Sequence, residues 1–141
     1  MITLAPPPIA SMLPRTWEFS RGTLRIAKVT DRRQPLLWVQ YAGYGTAELV
    51  PPMLEALEES LLFDRPVVFD DWQHVTGYDS AVRQQITDWA QADKTRILET
   101  HILVRSDLVA MGVAVANLAL GGHIRAYTRR DEFEDALRAH P

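Results

Sequence analysis

The chain has 141 residues, enough for one ordinary domain with its own hydrophobic core. Apolar residues make up 47% of it and the formal charge is −3, which fits a folded globular protein and gives no bulk electrostatic reason to bind nucleic acid or an anionic membrane. With no cysteine it holds no disulfide, thiolate nucleophile or Cys-based zinc site.

The opening MITLAPPPIASMLPR has neither a basic start nor an unbroken apolar core, so it does not read as a signal peptide. No apolar run reaches the roughly 18 to 20 residues that a membrane span needs, and a cytoplasmic location is the default expectation. Pro6, Pro7, Pro8 and Pro14 mark residues 1–15 as an extended arm, because each proline fixes φ and removes a backbone donor. Residues 16–141 are expected to form a single domain, with no internal repeat.

Residues 16–20 and 23–29 read as a hairpin turning at Arg21-Gly22. Residues 36–42, LLWVQYA, are apolar on both parities apart from Gln40, which predicts a central strand covered on both faces. Gly43 and Gly45 break it, and Thr46 is the expected cap of a helix running to about residue 62. Leu49, Met53, Leu54, Leu57 and Leu61 give that helix its apolar stripe. Pro51 and Pro52 require either a kink or a true helix start near Val50.

The stretch PVVFDDWQHVTGYDS, residues 66–80, is the focus of the chain. Val67, Val68 and Phe69 predict a short buried strand, which Asp70 and Asp71 are expected to end. A loop with Gly77 follows, and Asp79-Ser80 opens a helix over 80–92 that buries Val82, Ile86, Trp89 and Ala90. A strand is predicted at 101–105. Ser106 then caps a helix over 107–120, whose run LVAMGVAVANLAL carries no charge and stops at Gly121-Gly122. The last elements are a strand at 123–127 and a helix to residue 138, capped by Thr128, with Asp131 in a weak capping-box role and Phe133, Ala136 and Leu137 buried. The expected fold is α/β: a mixed sheet of about five or six strands, an antiparallel hairpin followed by parallel βαβ units, with four helices.

The chain resembles the STAS domains, the fold of bacterial anti-sigma factor antagonists and of the cytoplasmic tails of sulfate transporters. Four stretches carry the likeness: VQYAGYGTAELVPPMLEAL at 39–57, PVVFDDWQHVTGYDS at 66–80, HILVRS at 101–106 and GGHIRAYTRRDEFEDAL at 121–137. The resemblance implies a non-enzymatic regulatory module that docks a protein partner, a kinase or another regulator. It also implies phosphorylation of the serine that follows the aspartate at the helix start, here Ser80 after Asp79. Where the family continues Ser-Gly-Leu, this chain departs from it with Ala81-Val82-Arg83. Arg83, one turn on, is placed to meet a phosphate or Asp79.

The expected docking surface is 71–83, with Asp71, Trp72, Asp79, Ser80 and Arg83. Asp79-Ser80 reads first as an ordinary helix cap, and Trp72 is either an interface anchor or a core residue. The apolar helix over 107–120 needs cover on several sides. A homodimer through Leu108, Met111, Val115 and Leu118 supplies it, as does complete burial, and a second functional reading places an apolar ligand or lipid between this helix and the sheet. An enzyme built on Asp70, Asp71 and His74 is the third reading; it lacks a nucleophile–base pair and a full metal set. If the strands begun by His101 and His123 are neighbours, those two rings come close at the opposite edge. No cofactor, metal or nucleic acid is expected.

Overall fold

The computed structural model describes residues 4–60, 65–92, 97–106 and 123–141. Its sheet has six strands in simple sequence order: β1 (Arg15–Phe19), β2 (Gly22–Val29), β3 (Leu36–Gly45), β4 (Val67–Tyr78), β5 (Glu99–Leu103) and β6 (Ile124–Tyr127). β1, β2 and β3 pair antiparallel, and β3 to β6 pair parallel. Three α-helices lie among the described residues: α1 (Val50–Ser60), α2 (Ser80–Ala92) and α3 (Arg130–Ala139). The fourth expected helix, over 107–120 with Leu108, Met111, Val115 and Leu118, falls outside the described residues.

Two apolar layers sandwich the sheet. On one face Leu37, Val39, Tyr41 and Val68 meet Leu49, Met53 and Leu57 around α1 and Val82 of α2. On the other, Trp38, Val67, Phe69 and Tyr127 meet Phe133 and Leu137 of α3. β3 is buried from Leu36 through Ala42, as a strand apolar on both parities must be, and its one polar side chain, Gln40, is 2% exposed. Met12 is also buried in the second layer, with Ile9 packed beside it, and Arg25 Nη1 donates to the Ala5 carbonyl at 2.9 Å. The proline-rich segment thus lies against the sheet.

Local chemistry explains the helix starts. Pro51 and Pro52 stand in the first turn of α1, where a missing N–H costs nothing, and a 3-10 turn at Ala47–Leu49 leads into it. The Thr46 side chain makes no capping bond, and its buried hydroxyl has no partner among the described residues. The cap of α3 is Arg129 rather than Thr128, also without a side-chain bond. Asp131 and Glu132 in the first turn of α3 and Arg138 in the last suit the helix dipole instead.

The largest departure from expectation is β4. It does not end at Asp70 and Asp71 but runs twelve residues to Tyr78, staying paired to β3 as far as Gly45. Trp72, Val75, Thr76 and Tyr78 are good strand formers, and β3 offers a free edge beside them. Irregularities between Gln40 and Ala42, and between Gly43 and Tyr44, absorb the surplus residues of β4. Gly43 takes φ +111°, and a Cβ there would lie 2.3 Å from the Arg21 carbonyl oxygen, so this bend requires glycine.

Candidate functional site

The extension of β4 builds the rim at the carboxyl ends of β3 and β4. Asp79 follows at once, its N–H donating to the Gly45 carbonyl at 2.8 Å, and its own carbonyl accepts the Val82 N–H at 3.0 Å. This places Ser80 as the first residue of α2, exposed, between Asp79 and Ala81, both also exposed. Tyr78 is 45% exposed, a large side chain with little to cover it. Arg83 is exposed and makes no ion pair with Asp79 or any other described residue.

The sequence reading missed two residues of this rim, Tyr44 and Arg21. The Tyr44 hydroxyl donates to Asp79 Oδ1 at 2.8 Å, and the Arg21 guanidinium lies over the Tyr44 ring, 3.9 Å from its centroid. The Tyr44 N–H also donates to the Arg21 carbonyl at 2.9 Å. The hydrogen bond to Asp79 is the main cause that raises the Tyr44 phenol above its ordinary pKa, since the phenolate would lose it and face the carboxylate. A chain of contacts therefore runs from the β1–β2 turn to the residue before Ser80. Only the glycines that bring these segments together signalled it in the sequence.

The other expected docking residues lie inward. The Asp71 carboxylate is 1% exposed and pairs at 2.9 Å with Arg130 of α3, whose side chain is 30% exposed. It also accepts from Gln40 Nε2 at 2.9 Å, while Arg130 Nε reaches Gln73 Oε1 at 2.9 Å and Arg25 Nη1 reaches Gln40 Oε1 at 2.9 Å. Burial lowers the Arg25 pKa, and the Asp71 charge partly restores it. Asp71 thus fastens α3 to the sheet from inside rather than capping a strand end. Trp72 is half-buried against the core beside α1 and α2, and its indole N–H has no partner among the described residues.

Asp70 faces the side of the sheet opposite to Asp71, half-buried in the same layer as Val68 and Trp72. Burial pushes its carboxyl up to about 7; the Trp72 indole N–H nearby, though not aligned for a good hydrogen bond, pulls it down, and the Asp71 charge raises it. The two aspartates cannot share a cation or a substrate atom across the sheet, and His74 lies exposed past the first irregularity of the β4 strand. β5 and β6 are neighbours, but the register sets His101 opposite Arg125 and leaves His123 one step before β6. Among the described residues no group of three His, Asp or Glu side chains converges for a metal. No described helix is long and apolar enough to cross a membrane.

No protein-family model matches this sequence, and no curated protein is significantly similar to it. Among solved structures it is similar to an uncharacterised protein of the DUF3478 family with a SpoIIAA-like fold from Shewanella loihica PV-4. The identity is 16%, the TM-score is 0.70, and the match covers 86% of this chain and 98% of the other. The SpoIIAA-like fold is that of STAS and anti-sigma factor antagonist domains.

Proposed function

We propose, from a SpoIIAA-like fold with an exposed aromatic and charged rim, that this chain is a non-enzymatic regulatory module that docks a protein partner there. The contact surface runs from Tyr78 to Arg83, with Tyr44 and Arg21 at its side. The observation that carries this reading is the exposure of Tyr78, Asp79, Ser80 and Arg83 on one continuous segment, held in place from below by Tyr44. Tyrosine and arginine dominate interface energies, and a preset backbone reduces the ordering cost of docking.

Charge at Ser80 is the switch in this reading. A phosphate there would meet the free N–H groups of the first turn of α2 and the Arg83 side chain, and would crowd the Asp79 carboxylate beside it. The Asp79–Tyr44 bond would then be under electrostatic stress, and the partner would face about two added negative charges. The partner, a kinase or a regulator, is to be recovered with tagged wild-type protein from the source cells, purified and titrated. Ser80→Ala should bind it as wild type does, whereas Ser80→Glu should weaken binding tenfold or more. Equal affinity of both variants would refute the switch, and a partner whose binding ignores Tyr78→Ala and Arg83→Ala would refute the surface. The rival reading, an apolar ligand beneath the helix over 107–120, and self-association through that helix, rest on residues outside those described.

A further inference from the structure

A second polar cluster lies at the opposite end of the sheet, where β5 and β6 begin. The His101 side chain is 10% exposed, and its ring stacks on Phe69 with centroids 4.3 Å apart and planes 3° from parallel. Nε2 lies 3.1 Å from Glu99 Oε1, and Nδ1 lies 2.7 Å from the Tyr127 hydroxyl. An ionised carboxylate only accepts, so the neutral ring carries its proton on Nε2 and donates to Glu99. Nδ1 then accepts from the Tyr127 O–H. Arg125 lies over the Tyr127 ring, 5.2 Å from its centroid. One buried pair, His101 and Tyr127, therefore touches a carboxylate on β5 and a guanidinium on β6.

His101 stands opposite Arg125 in the register, so Glu99 is the diagonal neighbour of Arg125. Long side chains of opposite charge in that relation are within reach of one another. Here Glu99 is turned to His101, and Arg125 has no ion pair among the described residues. Between them is a recess of about 290 Å³ lined by Leu98, Glu99, His123, Ile124 and Arg125. Its described lining presents one carboxylate, one guanidinium, one imidazole and two aliphatic side chains.

We propose that this recess binds a small zwitterion of the free amino acid kind, its ammonium on Glu99, its carboxylate on Arg125 and His123, and its apolar group against Leu98 and Ile124. Charges already held apart by the buried pair lose little freedom when such a ligand bridges them, which is the usual source of affinity in a small site. A simple anion would leave Glu99 facing it, and a simple cation would face Arg125; only a molecule carrying both signs satisfies both walls. The recess is at the amino ends of the strands, away from Ser80, so this inference stands or falls separately from the docking reading.

L-leucine, with 4-methylpentanoate and isopentylamine as single-charge controls, is the probe. The full chain is titrated to about 50 mM and followed by NMR through the backbone amides of 98–101 and 123–127 and the ring protons of His101 and His123. Leucine should give saturable shifts confined to these signals, with an apparent dissociation constant near about 1 mM, as few-atom ligands allow. Each control should bind at least tenfold more weakly. Glu99→Gln and Arg125→Gln, both at exposed positions, should each weaken leucine at least tenfold, while His74→Gln at the far rim should not. Shifts that grow linearly without saturation, that sodium chloride reproduces, or that survive both substitutions would overturn the proposal.

Discussion

Replacing Asp70 by Asn gives the most direct reading of how the centre of the sheet handles charge. The Asp70 carboxyl is half-buried with its pKa raised from 3.8 to about 7, chiefly by burial. Between those two pH values the folded chain keeps a proton that the unfolded chain has lost, so stability contributed by the neutral carboxyl is complete below about pH 4 and drains away as the pH rises through 7. About three pH units at about 1.4 kcal/mol each set an upper bound of about 4 kcal/mol. Water reaching a half-buried side chain reduces this to about 2 kcal/mol. Asn is nearly isosteric with the neutral acid and does not ionise. Asp70→Asn should therefore stabilise the protein by about 2 kcal/mol at pH 8 and by less than about 0.5 kcal/mol at pH 4. Urea unfolding followed by tryptophan fluorescence at both pH values measures this, because other titrating groups cancel between the two proteins at each pH. The same difference at pH 4 and pH 8, or a loss of stability at pH 8, would refute the burial account of Asp70.

Asp71→Ala should behave in the opposite way and cost about 2 to 3 kcal/mol at neutral pH, because it leaves the buried Gln40 amide and the partly exposed Arg130 guanidinium without their acceptor. The double variant Asp71→Leu with Arg130→Met should recover the part of that loss due to the stranded guanidinium in the same urea assay, leaving the part due to the Gln40 amide. Met12→Ala should cost about 2 to 4 kcal/mol if residues 4–14 are part of the packed face, and a loss below about 0.5 kcal/mol would show that they are not. Burial lowers the His101 pKa despite the pull of Glu99, so the folded chain resists a proton that the unfolded chain accepts near pH 6.5. The stability this residue contributes is complete above that pH and declines as the pH falls through it, with Arg125 and His140 adding to the resistance. Thermal melts from pH 8 to 5 should show a smaller decline in His101→Gln than in wild type; equal declines would remove His101 as the cause.

Most of the architecture was legible in the residues. The two-parity apolar run of β3, the early hairpin (its turn one residue before the expected place, at Ser20-Arg21) and the helices α1 and α2 between successive strands each reflect a strong local rule, and the six strands begin close to where those rules put them. The rule failed where long-range pairing outweighed local punctuation. Asp70 and Asp71 look like strand breakers, but burial shifts one toward its neutral form and Arg130, fifty-nine residues away, pairs with the other, and neither effect is visible from the local pattern. The Thr46 and Thr128 caps failed for a smaller reason: a 3-10 turn in one case, and a start shifted by one residue in the other. Asp79-Ser80 stand where a helix was expected to open, yet Arg21 and Tyr44 come beside them through sheet pairing that no local periodicity reveals.

The order of the strands bears on how the chain is made. Because each strand lies beside the one synthesised before it, an emerging polypeptide can extend the sheet outward as it leaves the ribosome, with few distant loops to close. One side has to wait. Trp38 and Phe69 are finished early, but Phe133 and Leu137, which shield them, are translated only after all six strands, and Arg32 secures the end of that helix through the carbonyls of Leu137, Arg138 and His140. A nascent chain halted before residue 130 would lack the Phe133 and Leu137 side chains that pack on this aromatic layer, and the ten residues of α3 supply them.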